Sequence, residues 1–293
     1  MLELNGLTRR FGDLVAVDDV SFSVPPGGLT GFVGGNGAGK TTTMRMVMGV
    51  LAMHAGDVRW HGHRVTAADR RGFGYMPEER GLYPKQPIAD QLVYLARLRG
   101  MDAAPARSQI VELLDRFGLG ERVKEPLEKL SLGNQQRVQI VAALVPQPRL
   151  LILDEPFSGL DPTAIDAMTD LLREQADAGV PVVFSSHQLD LVDRLCDRLV
   201  VMARGRVVAE GTADQLRAGA PVRYRIRLGG DAGWVRELPG LQVDDVAGTE
   251  ALVDVTAEGA EQELLTRAME RGPVHDFSRV VPRLSEIYRE VTA

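Results

Sequence analysis

Apolar and polar positions recur along this chain with two different periods, and the switches between them mark its elements. Val15 to Val24 carries a strand pattern that stops at Pro25-Pro26-Gly27-Gly28, a cluster that turns the chain rather than extending it. Leu29 to Val33 is an apolar run of the kind a strand buried on both faces requires, and Thr42 to Val50 predicts a helix after it. Beyond Gly56, short strands separated by His61-Gly62 predict a hairpin, and Gly72 to Met76 predicts another core strand. Ile88 to Arg99 and Ser108 to Phe117 space their apolar residues helically, with polar faces between. Ser131 stands where an N-cap belongs, ahead of a helix running on to Val145. Arg149 to Leu153 and Val180 to Phe184 read as buried parallel strands. Between them, Pro162 opens a helix that runs through Ala178 and ends at Gly179. Leu199 to Met202 and Arg206 to Ala209 straddle Arg204-Gly205 as a hairpin.

Near Ala218-Gly219-Ala220-Pro221 the pattern changes. Val222 to Leu228 alternates apolar residues with arginine, and Leu241 to Val246 and Ala251 to Val255 are short strands around a Gly248 turn. Glu261 to Arg271 is helical, Val274 to Val280 strand-like and Leu284 to Val291 helical. With a short helix over Ala232 to Leu238 the order becomes βαββαβ plus a final helix, a ferredoxin-like arrangement. The expected division is a large α/β domain over 1–218 and a small α+β domain over 222–293.

The bulk numbers narrow the function classes. A length of 293 residues, with 44% hydrophobic and 25% charged positions, accommodates both domains and a large core. A net charge of -6 argues against nucleic acid as the main partner. The single cysteine, Cys196, excludes an intrachain disulfide and sits in an apolar pattern, as a small core residue rather than a nucleophile. Met1 to Asn5 lacks the basic start and long apolar stretch of a signal peptide, and no apolar run approaches the roughly 20 residues that cross a bilayer. A role at a membrane would therefore need a second polypeptide to span it. His61 and His63 have no third ligand nearby and fall at a turn, so they do not read as a metal site.

The chemistry starts at Gly34-Gly35-Asn36-Gly37-Ala38-Gly39-Lys40-Thr41, which fits G-x-x-x-x-G-K-[ST] between a strand and a helix. Gly34 and Gly39 let the backbone turn tightly and aim its N–H groups at phosphate oxygens. Lys40 supplies a cation to the β- and γ-phosphates, Thr41 a hydroxyl to Mg²⁺, and the helix that follows its positive N-terminal end. Leu150 to Leu153 then delivers Asp154 and Glu155 at a strand's carboxyl end, where open α/β sheets bind ligands. Asp154 is placed to hold Mg²⁺ and Glu155 to polarise an attacking water. Leu130-Ser131-Leu132-Gly133-Asn134 puts a hydroxyl and a glycine at a second helix start.

Together these marks resemble the ATP-binding cassette ATPases, whose signature is Leu-Ser-Gly-Gly-Gln. Leu132 and Asn134 depart from that signature, while Ser131 and Gly133 match its γ-phosphate contacts. Ser158-Gly159-Leu160-Asp161 resembles the loop that couples the two sites of a dimer, and Ser185-Ser186-His187 the switch whose histidine reaches the γ-phosphate. Phe11 matches the aromatic residue that stacks on adenine. Glu78 stands where relatives usually carry a metal-touching Gln, and Gly35 where they often carry Pro. The resemblance implies a nucleotide-binding set of Phe11, Gly34, Gly35, Asn36, Gly37, Ala38, Gly39, Lys40, Thr41, Thr42, Ser131, Gly133, Asn134 and Asp161. It implies a metal set of Thr41, Asp154 and Glu78, and catalytic roles for Glu155, His187 and Glu78. The implied fold is a phosphate-loop NTPase with a mixed core sheet, an antiparallel β subdomain and a helical subdomain over about 85–145. The implied cofactors are ATP and Mg²⁺. The implied partners are a second cassette, as homodimer or pseudo-dimer, and a separate multi-span permease docking on Ile88 to Phe117 with Tyr83 and Pro84, at the cytoplasmic face of a bacterial membrane. Glu78-Glu79-Arg80-Gly81-Leu82-Tyr83-Pro84 is similar to a subset of sodium- and drug-efflux cassettes, so export is expected over import. A non-transport cassette acting on ribosomes or DNA, or an ATPase slaved to a ligand of the tail, are the competing expectations.

Overall fold

β1 (Leu2–Phe11) and β2 (Leu14–Val24) pair antiparallel and bury Leu2, Leu4, Leu7, Val17, Val20 and Val24 beneath them. They belong to a computed structural model that describes residues 1–79, 81–219, 221–281 and 284–292. Arg80, in the efflux-type run, and Ala220, at the expected boundary, lie outside the described residues. After β2 come β3 (Leu29–Gly34), α1 (Lys40–Val47), β4 (Ala55–Trp60), β5 (His63–Arg64), α2 (Ala67–Arg71) and β6 (Phe73–Met76). The helices α3 (Ile88–Leu98), α4 (Ala103–Arg116) and α5 (Leu132–Leu144) follow, then β7 (Leu150–Leu153), α6 (Pro162–Asp177), β8 (Val182–Ser186), α7 (Leu189–Leu195), β9 (Arg198–Ala203) and β10 (Arg206–Gly211).

Two sheets organise this part. One is antiparallel, in the order β2-β1-β4-β5; the other runs β10-β9-β3-β8-β7-β6 and is parallel except at β10. The parallel strands β3, β7 and β8 are buried throughout, which is why their sequences show no alternation. Their carboxyl ends meet at one edge, and three loops with chemistry leave from there. Cys196 packs close to this sheet: a Cβ at Gly31 would lie 2.7 Å from its Sγ. Burial, and then neighbouring Asp197, pushes the thiol well above its usual range, so it has no thiolate character.

Several boundaries differ from the sequence reading. α4 begins at Ala103, ahead of the expected Ser108, because Pro105 falls in the first turn, where a missing N–H costs no helical bond. β8 runs two residues later than expected and ends on two serines, because pairing with β3 continues through Ser185↔Phe32 and Ser186↔Val33. α2 and α7 had no sequence expectation. The hairpin at His61-Gly62 forms, with φ of 49° and 83° at its two loop residues. His63 is exposed and meets Asp69 at 3.3 Å, a carboxylate already engaged in the Thr66 capping box of α2.

The chain divides into two compact units, Met1–Ala213 and Asp214–Val291. The second contains most of α8 (Ala213–Ala218), then β11 (Val222–Leu228), a 3₁₀ turn at Gly233–Glu237, β12 (Leu241–Ala247), β13 (Glu250–Val255), α9 (Ala260–Arg271), β14 (Val274–Val280) and α10 (Leu284–Thr292). Its antiparallel sheet runs β12-β13-β11-β14, the ferredoxin-like order, with the first helix reduced to the 3₁₀ turn. Ile226, Val235, Val253, Leu264 and Ala268 form its core.

Candidate active site

The loop after β3 is held in a shape that only glycine permits at two positions. Gly39 has φ 102°, and a Cβ there would lie 2.5 Å from the Ala16 carbonyl. A Cβ at Gly34 would come within 2.7 Å of the Met202 carbonyl. Lys40 opens α1 and is 7% exposed; its Nζ donates to the Gly34 carbonyl at 2.6 Å and to Gly35 at 3.3 Å. Among the described residues α1 has neither a side-chain cap nor an acid in its first turn, so its N-terminal N–H groups remain for an anion. A cavity of about 360 Å³ lies over the loop. Asn36, Gly37, Ala38, Gly39, Lys40, Thr41 and Thr42 line it together with Phe11, Glu78, Asp154 and Glu155. Leu14 and Ala16 also line it, and no sequence motif pointed to them. Phe11 is 46% exposed, with the Arg9 guanidinium 4.7 Å from its ring centroid.

The acidic end of the cavity is built on β7 and β8. Asp154 is fully buried; its Oδ1 accepts from the Ser185 hydroxyl at 2.6 Å, while Oδ2 has no hydrogen-bond partner among the described residues. Ser185 Oγ also accepts the Glu155 N–H at 2.8 Å. Glu155 has φ 52°, a left-handed conformation that costs a residue with a Cβ about 1 kcal/mol or more. Two bonds hold it there: the N–H to Ser185, and Gln136 Nε2 donating to the Glu155 carbonyl at 2.9 Å. Its carboxylate meets His187 Nδ1 at 2.9 Å. The Thr41 hydroxyl donates to Glu78 Oε2 at 3.4 Å. Ser185 entered the sequence reading only within the switch motif, with no role of its own, and Gln136 was given none. A serine inside an otherwise apolar buried strand was a usable signal for the first; nothing marked the second.

A second group of expected residues lies elsewhere. Ser131 caps α5 by accepting from the Asn134 N–H at 3.4 Å, and none of Ser131, Gly133 and Asn134 lines the cavity over this chain's own phosphate loop. Gly133 packs against the loop after β7, where a Cβ would lie 3.0 Å from the Gly159 carbonyl. Asp161 has both carboxylate oxygens in use: Oδ1 caps α6 through the Ala164 N–H at 2.8 Å, and Oδ2 meets Arg137 at 3.0 Å.

Comparison with known proteins settles the family. The ABC transporter profile matches residues 17–158, and the profile for the ATP-binding protein DrrA1-3-like, C-terminal domain matches 211–292. The ABC transporter ATP-binding protein YhaQ of Bacillus subtilis is 35% identical over 291 residues, 99% of this chain and 98% of its own. This chain belongs to the ABC transporter ATP-binding family. Cassettes of this family bind ATP and hydrolyse it to power transport. The cassette is also 38% identical over 232 residues to the daunorubicin/doxorubicin resistance ATP-binding protein DrrA of Streptomyces peucetius, covering 78% of this chain and 70% of that one. A solved ATP-binding subunit of an ABC transporter matches with TM-score 0.70 and 34% identity, over 75% of the cassette chain and 95% of its own.

Whether Mg²⁺ suits this cassette is a question of donors. Thr41, Glu78 and Asp154 are hard oxygen donors on one cavity, and Asp154 Oδ2 is a buried acceptor with nothing to accept from. Among the described residues no three acidic, histidine or cysteine side chains are grouped closely enough to cage an ion alone. That combination fits Mg²⁺, which takes one or two carboxylates and completes its shell with phosphate oxygens and water.

Proposed function

We propose that the cassette powers an exporter, with each named side chain in a specific role. Residues 34–42 and the N-terminus of α1 cradle the phosphates, Lys40 neutralises the β- and γ-oxygens, and Phe11 stacks on the base. Thr41 and Asp154, with Glu78, would hold Mg²⁺, which when bound draws charge from the transferring phosphoryl group. Glu155 accepts a proton from the water that attacks the γ-phosphorus as the bond to ADP breaks. His187, on the Glu155 carboxylate, orients that base and reaches the γ-phosphate. The observation that carries this reading is the chain Asp154–Ser185–Glu155–His187 at the mouth of the phosphate loop.

Ser131, Gly133, Asn134 and Asp161 then act in trans. Their position outside this chain's own cavity supports a sandwich of two cassettes, as homodimer or pseudo-dimer, in which each supplies the wall its partner lacks. Closure on ATP and reopening after hydrolysis would move a separate multi-span permease at the inner face of the membrane. Among the described residues no helix is long and apolar enough to cross a bilayer. The permease docks on the helical insert, where Tyr83, Tyr94 and Leu98 are each at least half exposed. Relatives named for drug resistance and Nod factor export support outward transport. The proposed division is a cassette over 1–218 and an accessory domain over 222–293. Glu155→Gln tests the mechanism: it should lower hydrolysis at least 100-fold and accumulate an ATP-bound dimer on size exclusion. A monomeric, ATP-loaded Glu155→Gln chain would rule out the sandwich.

A further inference from the structure

Glu78 and Gln139 are far apart in sequence and joined in space. Gln139 lies on α5 and is 4% exposed. Its amide has two N–H donors, and Nε2 donates to the Pro77 carbonyl at 2.9 Å and the Glu79 carbonyl at 3.1 Å. Those carbonyls flank Glu78 on both sides, so the backbone that aims the Glu78 side chain at the cavity is pinned on each flank. Among the described residues the segment is also held by an exposed pair, Glu79 with Arg45 at 3.3 Å, which contributes little in water, and by the long Thr41 hydroxyl contact to Glu78 at 3.4 Å. One turn earlier on the same face of α5, Gln136 makes the matching contact, donating to the Glu155 and Pro156 carbonyls. The helix whose N-terminus carries Ser131 and Gly133 therefore grips the backbone of both carboxylate segments through two buried amides.

We propose that Gln139 is a positioning residue for Glu78, fixing that carboxylate on the metal side of the nucleotide and tying its position to α5. The proposal rests on the reading of Glu78 as a metal-side ligand. Removing the amide leaves two carbonyls without their donor and frees the segment, so the Glu78 carboxylate loses its aim while the phosphate loop keeps its own bonds.

The test uses the full chain loaded with a non-hydrolysable ATP analogue and Mn²⁺ as the probe, with metal half-saturation read by electron paramagnetic resonance. Gln139→Ala and the volume-matched Gln139→Met should each raise half-saturation about tenfold, the range for residues that orient metal ligands. Analogue affinity without metal should stay within about twofold. In a Glu78→Ala background, Gln139→Ala should add less than about twofold, because its route is already cut. If Gln139→Ala lowers the melting temperature, Gln139→Met decides. An unchanged half-saturation in Glu78→Ala would remove the metal-side reading of Glu78, and this inference with it. A shift in Glu78→Ala with none in the Gln139 variants, or an equal Gln139 shift in both backgrounds, would overturn the Gln139 role alone.

Discussion

Two buried aspartates show where this protein keeps its chemistry. Asp254, on β13 of the C-terminal unit, is 8% exposed and fully answered: Arg223 Nε donates to Oδ1 at 2.6 Å and its NH2 to Oδ2 at 3.1 Å. That bond also holds the Arg223 guanidinium above its usual value. Asp154, on the cassette, is more deeply buried and half answered, with one oxygen bonded to Ser185 and the other left open over the cavity. A buried carboxylate without a full set of donors is costly, and an open oxygen over a cavity is where a ligand can complete it. The difference is that Asp254 has both oxygens answered within its own unit while Asp154 has an oxygen free to meet a ligand, although the residue type and burial are alike.

Neutralising each aspartate is the sharpest way to break that comparison. Asp154→Asn should cut Mg²⁺-dependent ATP hydrolysis by a factor of about 100 or more while leaving metal-free thermal stability equal or higher, since an amide is easier to bury than an open carboxylate. A large loss of metal-free stability would make Asp154 a structural residue like Asp254. Asp254→Ala should do the reverse. It leaves the largely buried Arg223 with half-exposed Asp244 at 3.3 Å and the weaker field of Glu286, and should cost about 3 kcal/mol in denaturant unfolding with nucleotide affinity unchanged.

Glycines extend the contrast at smaller cost. Gly39→Ala meets both a left-handed φ and the Ala16 carbonyl, so it should cost about 2 kcal/mol and at least tenfold in ATP affinity by titration. Gly248→Ala in the tail has φ 59° and no neighbour within 4 Å, so only the backbone term, about 1 kcal/mol, should appear on unfolding. The smallest effect concerns pH. The Thr66 hydroxyl and backbone N–H, and then His63, hold Asp69 down to about 2. Its contribution is therefore complete above the ordinary value of 3.8 and fades as pH falls toward 2. Amide exchange in α2 should quicken over that window, and Asp69→Asn should remove the dependence.

The phosphate loop was legible because its glycines, lysine and threonine are contiguous and each is needed by type. The Asp-Glu pair was legible because an apolar strand ends on it. The bonds of Ser185 and Gln136 to the Asp154-Glu155 segment were not, because they join strands and helices that meet only after folding. The strand β1 had no separate expectation either, since Leu7 falls out of step with Leu2 and Leu4, and a register shift between Leu4 and Leu7 is what puts all three in the core. In the C-terminal unit the element order could be read from periodicity. The collapse of its first helix into a 3₁₀ turn could not, since five residues carry too little pattern to choose between helix types.

Sequence alone determined the nucleotide class, most of the longer elements and the phosphate-loop pattern, because those depend on local backbone freedom and on side chains adjacent in the chain. Tertiary structure decided which aspartate oxygen stays open, that Glu155 is held at positive φ by two side chains, and that Ser131 and Gly133 lie outside the cavity over their own phosphate loop. It also decided that Gln139 reaches the Glu78 segment, from 60 residues along the chain. Each of those facts is a distance between parts of the chain remote in sequence, and only packing fixes such distances.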